Sequence, residues 1–291
     1  MTVIAGKRRD SVRSKTRLKL SIGMLSAYLV IGLGAVFCLF PFWMMLVYGT
    51  HSSSDIFAFP PKFWFGTHFL ENTQRLLETV PFWRNLWNSA YIAVISTALT
   101  LFFCSLGGFG FSMYDFRGRE FLFSIIMGTM LIPGFLGMVP SYLMFNALGW
   151  LNRPIALWFP SIANAFGIFL MRQYMGSTIP RDLLEAARLD GCNEFQLYSH
   201  IALPLSRPAL GTLGLVTFIG AWNNFQGALI VMQSKETATV QLAIRNLKGA
   251  YNTDWGATFA GTLIAVIPLL LLFVLFSRQL ISGLLAGSVK G

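Results

Sequence analysis

Charge is what this sequence has least of. Only 12% of its 291 residues are Asp, Glu, Lys or Arg, about half the roughly 25% usual in soluble proteins, and mean hydropathy is +0.60. The 22 basic and 12 acidic residues leave six stretches of 18 or more without a charge: 20–54, 85–114, 121–152, 154–171, 208–234 and 255–277. Crossing about 30 Å of hydrocarbon takes roughly 20 apolar residues at 1.5 Å each. A mid-membrane charge costs roughly 3 kcal/mol on insertion scales, so charges collect between spans. The pattern implies an all-α, polytopic membrane protein with six transmembrane helices.

Other absences exclude functions. No Asp, Glu, Lys, Arg or His lies inside the six windows away from their ends. A proton-coupled carrier or an intramembrane hydrolase would need such a group there. No Gly-x4-Gly-Lys-[Ser/Thr] phosphate loop occurs, so the chain does not hydrolyse ATP by that route. Cys38, Cys104 and Cys192 have no metal-ligand spacing, and no disulfide frame or metal site is implied. His51, His68 and His200 are read as solvated loop residues. The net charge of +10 sits beside the spans and no recognition helix accompanies it, which argues against nucleic acid.

What is present is an ordered series of spans, expected at 22–47, 88–112, 121–145, 155–174, 208–232 and 257–279. Residues 1–21 form a basic tail, 48–87 an outer loop, 88–279 the core, and 280–291 a second tail. The tail's apolar partner is about 26 residues long and lacks a small-residue cleavage site, so an uncleaved first helix is expected rather than a signal peptide. With both termini inside, 15 Lys and Arg face inward against 7 outward, which places both termini in the cytoplasm. The 48–87 loop, with Pro60-Pro61 and Phe57, Phe59, Phe63, Trp64 and Phe65, reads as hugging the interface.

The inner loop 175–207 is too long for a turn and is patterned for helix. Pro180 suits a first helical position, Gly191 a left-handed stop, and Asn193 a cap for a second short helix that Pro204 should end. Leu183, Leu184 and Ala187 should share one face, and Ala186-Ala187 permits close approach of another backbone. Glu185 has Arg181 and Arg188 within helical reach. These residues alone leave open a docking element or a plain solvated loop.

Glu185-Ala186-Ala187, three residues, Gly191, nine residues, then Ile201-Ala202-Leu203-Pro204 reproduces the EAA-x3-G-x9-I-x-LP signature. On it the chain is identified as a member of the ABC importer permeases. Asp55-Ile56-Phe57, Met130-Leu131-Ile132-Pro133-Gly134, Trp222-Asn223-Asn224-Phe225 and the closing run Gly283–Gly291 resemble the carbohydrate-uptake branch, most of all its maltose-type G subunits. The fifth-span motif usually carries an acidic residue where Asn224 stands here.

The resemblance implies a type I importer permease fold in a bacterial inner membrane. It assigns ATPase coupling to Glu185, Ala186, Ala187, Gly191, Ile201, Leu203 and Pro204, and a tail contact with the ATPase to Gly287, Ser288, Val289, Lys290 and Gly291. The implied partners are a second, homologous permease, two cytoplasmic ATPases that bind ATP and Mg, and an external solute-binding protein; this chain itself binds no cofactor. The cargo implied is a sugar or oligosaccharide, with glycerol phosphate or another polyol derivative, or an ion-coupled carrier, as alternatives. Trp222, Asn223, Asn224 and Phe225 are candidates for the substrate pathway, although Asn223 and Asn224 also suit bonding between helices. Pro133, Gly134, Gly137 and Pro140 should bend the third span, and Gly107-Gly108-Phe109-Gly110 should pack closely on a neighbour.

Overall fold

The computed structural model describes residues 22–249 and 253–288, which form helices, turns and coil; among the described residues the only β feature is an isolated bridge between Lys248 and Thr253. The basic tail 1–21 lies outside them. The chain divides into two units, up to Met45 and from Leu46 onward. The first holds most of the helix Ile22–Gly49, whose side chains from Leu25 to Phe42 are apolar and exposed almost throughout. A helix apolar on every side suits lipid.

In the second unit the 32-residue helix Phe82–Met113 is the central column, with Ala165–Thr178 and Arg207–Trp222 packed along it. Small residues set the distances. A Cβ on Gly108 would lie 2.4 Å from the Met171 Cβ and 2.9 Å from the Arg172 nitrogen, and one on Gly167 2.6 Å from the Cys104 Sγ. Gly107 and Gly110 have room around them, so within the glycine run it is Gly108 that makes the close contact. Polar side chains in this seam bond across helices, as apolar surroundings favour: the Thr100 hydroxyl donates to the Ser161 carbonyl at 2.9 Å, and Ser105 and Tyr198 share a hydroxyl bond of 2.7 Å.

Among the described residues four helices are long and apolar enough to cross a membrane alone, and two bent pairs, Arg119–Thr129 with Gly134–Ala147 and Glu194–Leu205 with Arg207–Trp222, bring the number to six if each counts as one span. The expected third span is two helices, Arg119–Thr129 and Gly134–Ala147, at 90° to one another. Pro133 removes a backbone donor at the corner and Gly134 relaxes it; Pro140 falls in the first turn of Met138–Ala147, where no helical bond is lost. The expected fifth span, 208–232, is also interrupted. Arg207–Trp222 stops at Asn223, and Phe225–Val231 starts afresh with the Asn224 side chain accepting from the Gly227 N–H at 3.0 Å. Two adjacent asparagines offer the backbone local partners that compete with the helix ladder. Asn164 does the same within the fourth, accepting from the Gly167 N–H at 2.8 Å. The last helix, Trp255–Ser288, outruns the expected 257–279, with its apolar span ending at Phe276.

These columns carry loops at two ends. Residues 114–118 and 179–206 meet at one, through Arg181 with Asp115 and Tyr114 with Glu194; residues 49–81 meet 232–249 and 253–254 at the other, through Arg75 with Asp254 and Lys235 with the Thr79 carbonyl.

Candidate functional site

At the first end the chain forms an angular bracket of two helices, Arg181–Leu189 and Glu194–Leu205. Pro180 is the N-cap, one position earlier than expected, with extended backbone. The first helix ends in a Schellman turn: Cys192 N–H donates to the Ala187 carbonyl and Gly191 N–H to the Arg188 carbonyl, both at 3.0 Å. Gly191 has φ +88, where a side chain would be strained. Asn193 then caps reciprocally with Gln196, at 2.9 and 2.8 Å. Pro204 does not end the second helix, which runs on to Leu205. A π stretch, Leu197–Ala202, widens the turn ahead of it and relieves the crowding of the proline ring on the preceding carbonyls.

The bracket has an anchored face and a presented one. Leu184, Leu197, Tyr198 and Ala202 are buried with Met171 and Met175 in one apolar cluster, and Ala187 packs against it. Leu183 does not join them: it is 43% exposed, and Leu189 and Phe195 are 91% and 69% exposed. Ala186 and Glu185 lie on the outside too. The cations within reach of Glu185 are both occupied elsewhere. Arg181 bonds Asp115 at 2.9 Å, and Arg188 reaches both Glu194 oxygens at 3.0 and 3.2 Å. Among the described residues Glu185 has no hydrogen bond or ion pair.

Those pairs fasten the bracket to the 114–120 elbow ahead of the third helix pair. Asp115 is shared by Arg181 and Arg119, Glu194 is shared by Arg188 and the Tyr114 hydroxyl, and Arg172 bonds Glu120 at 2.6 Å while lying 3.7 Å over the Phe123 ring. Arg181 holds the Asp115 carboxyl below its usual range, and Arg188, with Tyr114, does the same for Glu194. Burial, with Glu194 beside it, pushes the Tyr114 hydroxyl up to about 12. No charge run or motif ties Asp115 or Tyr114 to the bracket in the sequence, because the bracket partner of each lies more than 60 residues away.

The four pathway candidates separate in space. Trp222 is buried in the packed core, stacked on Phe218 at 5.9 Å with its Nε1 unpartnered. Asn223 is exposed and accepts from Gln241 at 3.2 Å, and Phe225 packs against a third apolar cluster. Asn224 alone of the four lines a cavity of about 510 Å³, whose far wall is the break in the third helix pair: Gly134, Gly137, Ser141 and Tyr142. Two of the residues expected to bend the third span, Gly134 and Gly137, and one expected to touch cargo, Asn224, therefore meet here. Ile201, Leu203 and Pro204 belong to the second bracket helix, and Gly287 and Ser288 close the last helix; Val289, Lys290 and Gly291 lie outside the described residues.

The opposite end holds a polar knot that sequence reasoning missed. Buried Asn72 donates to the Gly49 and His51 carbonyls at 2.9 and 2.8 Å and accepts from Arg75, whose Nε donates to Asp254 at 2.7 Å. Asp254 also accepts from the Ala257 N–H at 2.9 Å and caps the last helix. Burial alone would raise its carboxyl, but the Ala257 N–H and Arg75 outweigh it and hold the group below its usual range. Asp before an apolar run was the readable signal. His51 is not solvated: it is 6% exposed, and its Nε2 lies 2.9 Å from the Trp64 carbonyl. His200 is exposed as expected, but within the π stretch rather than a loop.

Residues 104–284 match the family described as binding-protein-dependent transport system inner membrane component. The chain is 36% identical over 275 residues to the lactose transport system permease protein LacG of Rhizobium radiobacter, covering 94% of this chain and 99% of that one. It is 34% identical over 270 residues to the trehalose/maltose transport system permease protein MalG of Thermococcus litoralis, covering 90% and 96%. Among solved structures it resembles a bacterial ABC transporter involved in import of the acidic polysaccharide alginate, with TM-score 0.77 and 25% identity over 88% of this chain and 95% of that one. With the helical core, the two broken helices and the bracket in place, the chain belongs to the inner-membrane permease components of binding-protein-dependent ABC transport systems.

Proposed function

We propose that this chain is one transmembrane half of an ATP-driven importer for a sugar or oligosaccharide, and that the bracket is its coupling element. The second half is a homologous permease; two cytoplasmic ATPases bind ATP and Mg²⁺, and an external binding protein delivers the cargo. This chain binds no nucleotide and catalyses no reaction. Both termini lie in the cytoplasm, so the bracket faces the ATPases.

One observation carries the reading: the bracket presents Leu183, Leu189 and Phe195 outward around an unpaired Glu185, while its other face is locked into the core. Exposed apolar residues around an unpaired carboxylate form the kind of patch that marks an interaction surface. Glu185 and Ala186 enter a cleft on the ATPase, Ala186 allowing backbone approach, while Ala187 backs them against the core and Gly191 makes the turn. Ile201, Leu203 and Pro204 carry the second arm. When the ATPases close on ATP, the bracket moves, and its ties at Asp115 and Glu194 draw the elbow and the broken third helix pair with it. Gly287, Ser288, Val289, Lys290 and Gly291 extend from the last helix to make a second ATPase contact.

The saccharide cargo is supported by the relatives, whose names specify lactose and trehalose/maltose. In membrane vesicles holding the complete transporter, Glu185→Lys should leave membrane insertion and folding intact and lower ATP-dependent saccharide uptake more than tenfold. Wild-type uptake by this variant would refute the coupling role.

A further inference from the structure

The cavity beside Asn224 has a chemistry of its own. Its walls come from the turn Gly134–Gly137, the start of Met138–Ala147, and the helix Phe225–Val231. At about 510 Å³ it falls within the ~300–1,000 Å³ typical of small-molecule sites. It lies one helix length from the bracket, since Arg207–Trp222 rises about 24 Å over its 16 residues.

Four polar side chains line it: Ser141, Tyr142, Asn224 and Gln226. Three of them, Ser141, Tyr142 and Gln226, make no hydrogen bond to the described residues. Asn224 uses only its Oδ1, to cap the Phe225–Val231 helix, and keeps its amide donors. Ser141, Tyr142 and Asn224 are half-buried and Gln226 is exposed, and a ligand seated between the two facing walls would satisfy the free donors and acceptors that converge on it. Hydroxyl and carboxamide groups donate and accept, which matches the two-way hydrogen bonding of sugar hydroxyls. Phe135, two-thirds exposed, and Tyr142 add flat apolar surface for the C–H face of a sugar ring.

None of the residues lining the cavity is charged. A carboxylate or phosphate entering it would give up hydration with no cation to replace it. We propose that this cavity is a subsite for an uncharged saccharide, held by Ser141, Tyr142, Asn224 and Gln226, and that it rejects oligouronates and phosphate esters. The inference rests on the import reading above and narrows it. The overall fold does not settle this, because the alginate importer that shares it takes an acidic polysaccharide.

The test is equilibrium dialysis of radiolabelled maltotriose and trigalacturonate against the detergent-purified complete transporter, free of nucleotide and binding protein. Maltotriose should bind and trigalacturonate should bind at least tenfold more weakly. Gln226→Ala and Tyr142→Phe should each raise the maltotriose Kd by ~3- to 10-fold, the loss expected for one hydrogen bond. Both variants are first checked for co-purification with the partner subunits, and the comparison of the two ligands on the wild type needs no variant. Trigalacturonate binding as tightly as maltotriose, or both variants keeping the wild-type Kd, would overturn the proposal. So would the absence of maltotriose binding in a transporter that still imports saccharide, an outcome that leaves the import reading standing. A transporter that imports no saccharide at all would remove both.

Discussion

The two ends of the core use the same residue types to opposite purpose. At the end formed by 49–81, 232–249 and 253–254, Asn72, Arg75 and Asp254 spend their bonds on one another and on backbone groups, and the Phe69–Thr79 helix is pinned to the last span. At the bracket end the two cations near Glu185, Arg181 and Arg188, are also paired, yet Glu185 itself is left over, among leucines and a phenylalanine that face outward. A part-buried network around buried Asn72, with its partners filled, rigidifies. An exposed one with a carboxylate and apolar surface to spare is built for a second molecule.

The seam that joins the two ends gives the largest expected effect. Gly108→Leu puts a branched side chain against the Met171 and Arg172 backbone, where the nearest atoms cannot withdraw. Overpacking of this kind costs roughly 1–3 kcal/mol or more, and the folded yield in detergent should collapse while Gly110→Leu, with open space at its Cβ, folds normally. Equal yields would mean the central column does not depend on that contact.

Next in size is the knot. Asn72→Ala leaves the Gly49 and His51 carbonyls and one Arg75 bond without a partner, worth about 2 kcal/mol for buried groups. The thermal midpoint of the purified transporter should drop by several degrees. An unchanged midpoint would place the two ends on an equal footing and break the contrast.

Smaller still is the effect of pH on the bracket's ties. The folded carboxyls of Asp115 and Glu194 titrate below their ordinary values of 3.8 and 4.5. A depressed carboxyl contributes above its unfolded value and loses that contribution as pH falls through the folded one. Hydrogen exchange of the bracket amides, corrected for its intrinsic pH dependence, should therefore be level from neutrality to about pH 5 and rise only below about pH 4.5. Asp115→Asn should raise exchange in Arg181–Leu189 at neutral pH with little change in the thermal midpoint, since exposed pairs contribute little to global stability. Loosening that begins near pH 6.5 would implicate a histidine instead.

The bracket was legible because its signals are local. Gly191 and Asn193 each act within a turn or two, and the turn and cap formed where they pointed. The six windows were legible for the same reason, as hydrocarbon thickness sets their length. What escaped were outcomes of competition or of distance. The interruption at Asn223-Asn224 depends on side chains winning backbone bonds from a helix that apolar composition favours. Leu183 faces outward because only the packed cluster decides which side of a short helix turns in. Arg75 with Asp254 and Asp115 with Arg181 are 179 and 66 residues apart, and no periodicity connects them.

Photo-crosslinking from a benzoylphenylalanine at Leu189, compared with one at Phe59 on the opposite end, tests the coupling role most directly. In membranes holding the complete transporter, the Leu189 probe should capture an ATPase subunit, with a yield that changes when ATP is added, and the Phe59 probe should capture none. Capture of an ATPase from position 59, or none from position 189 in a transporter active in uptake, would contradict it.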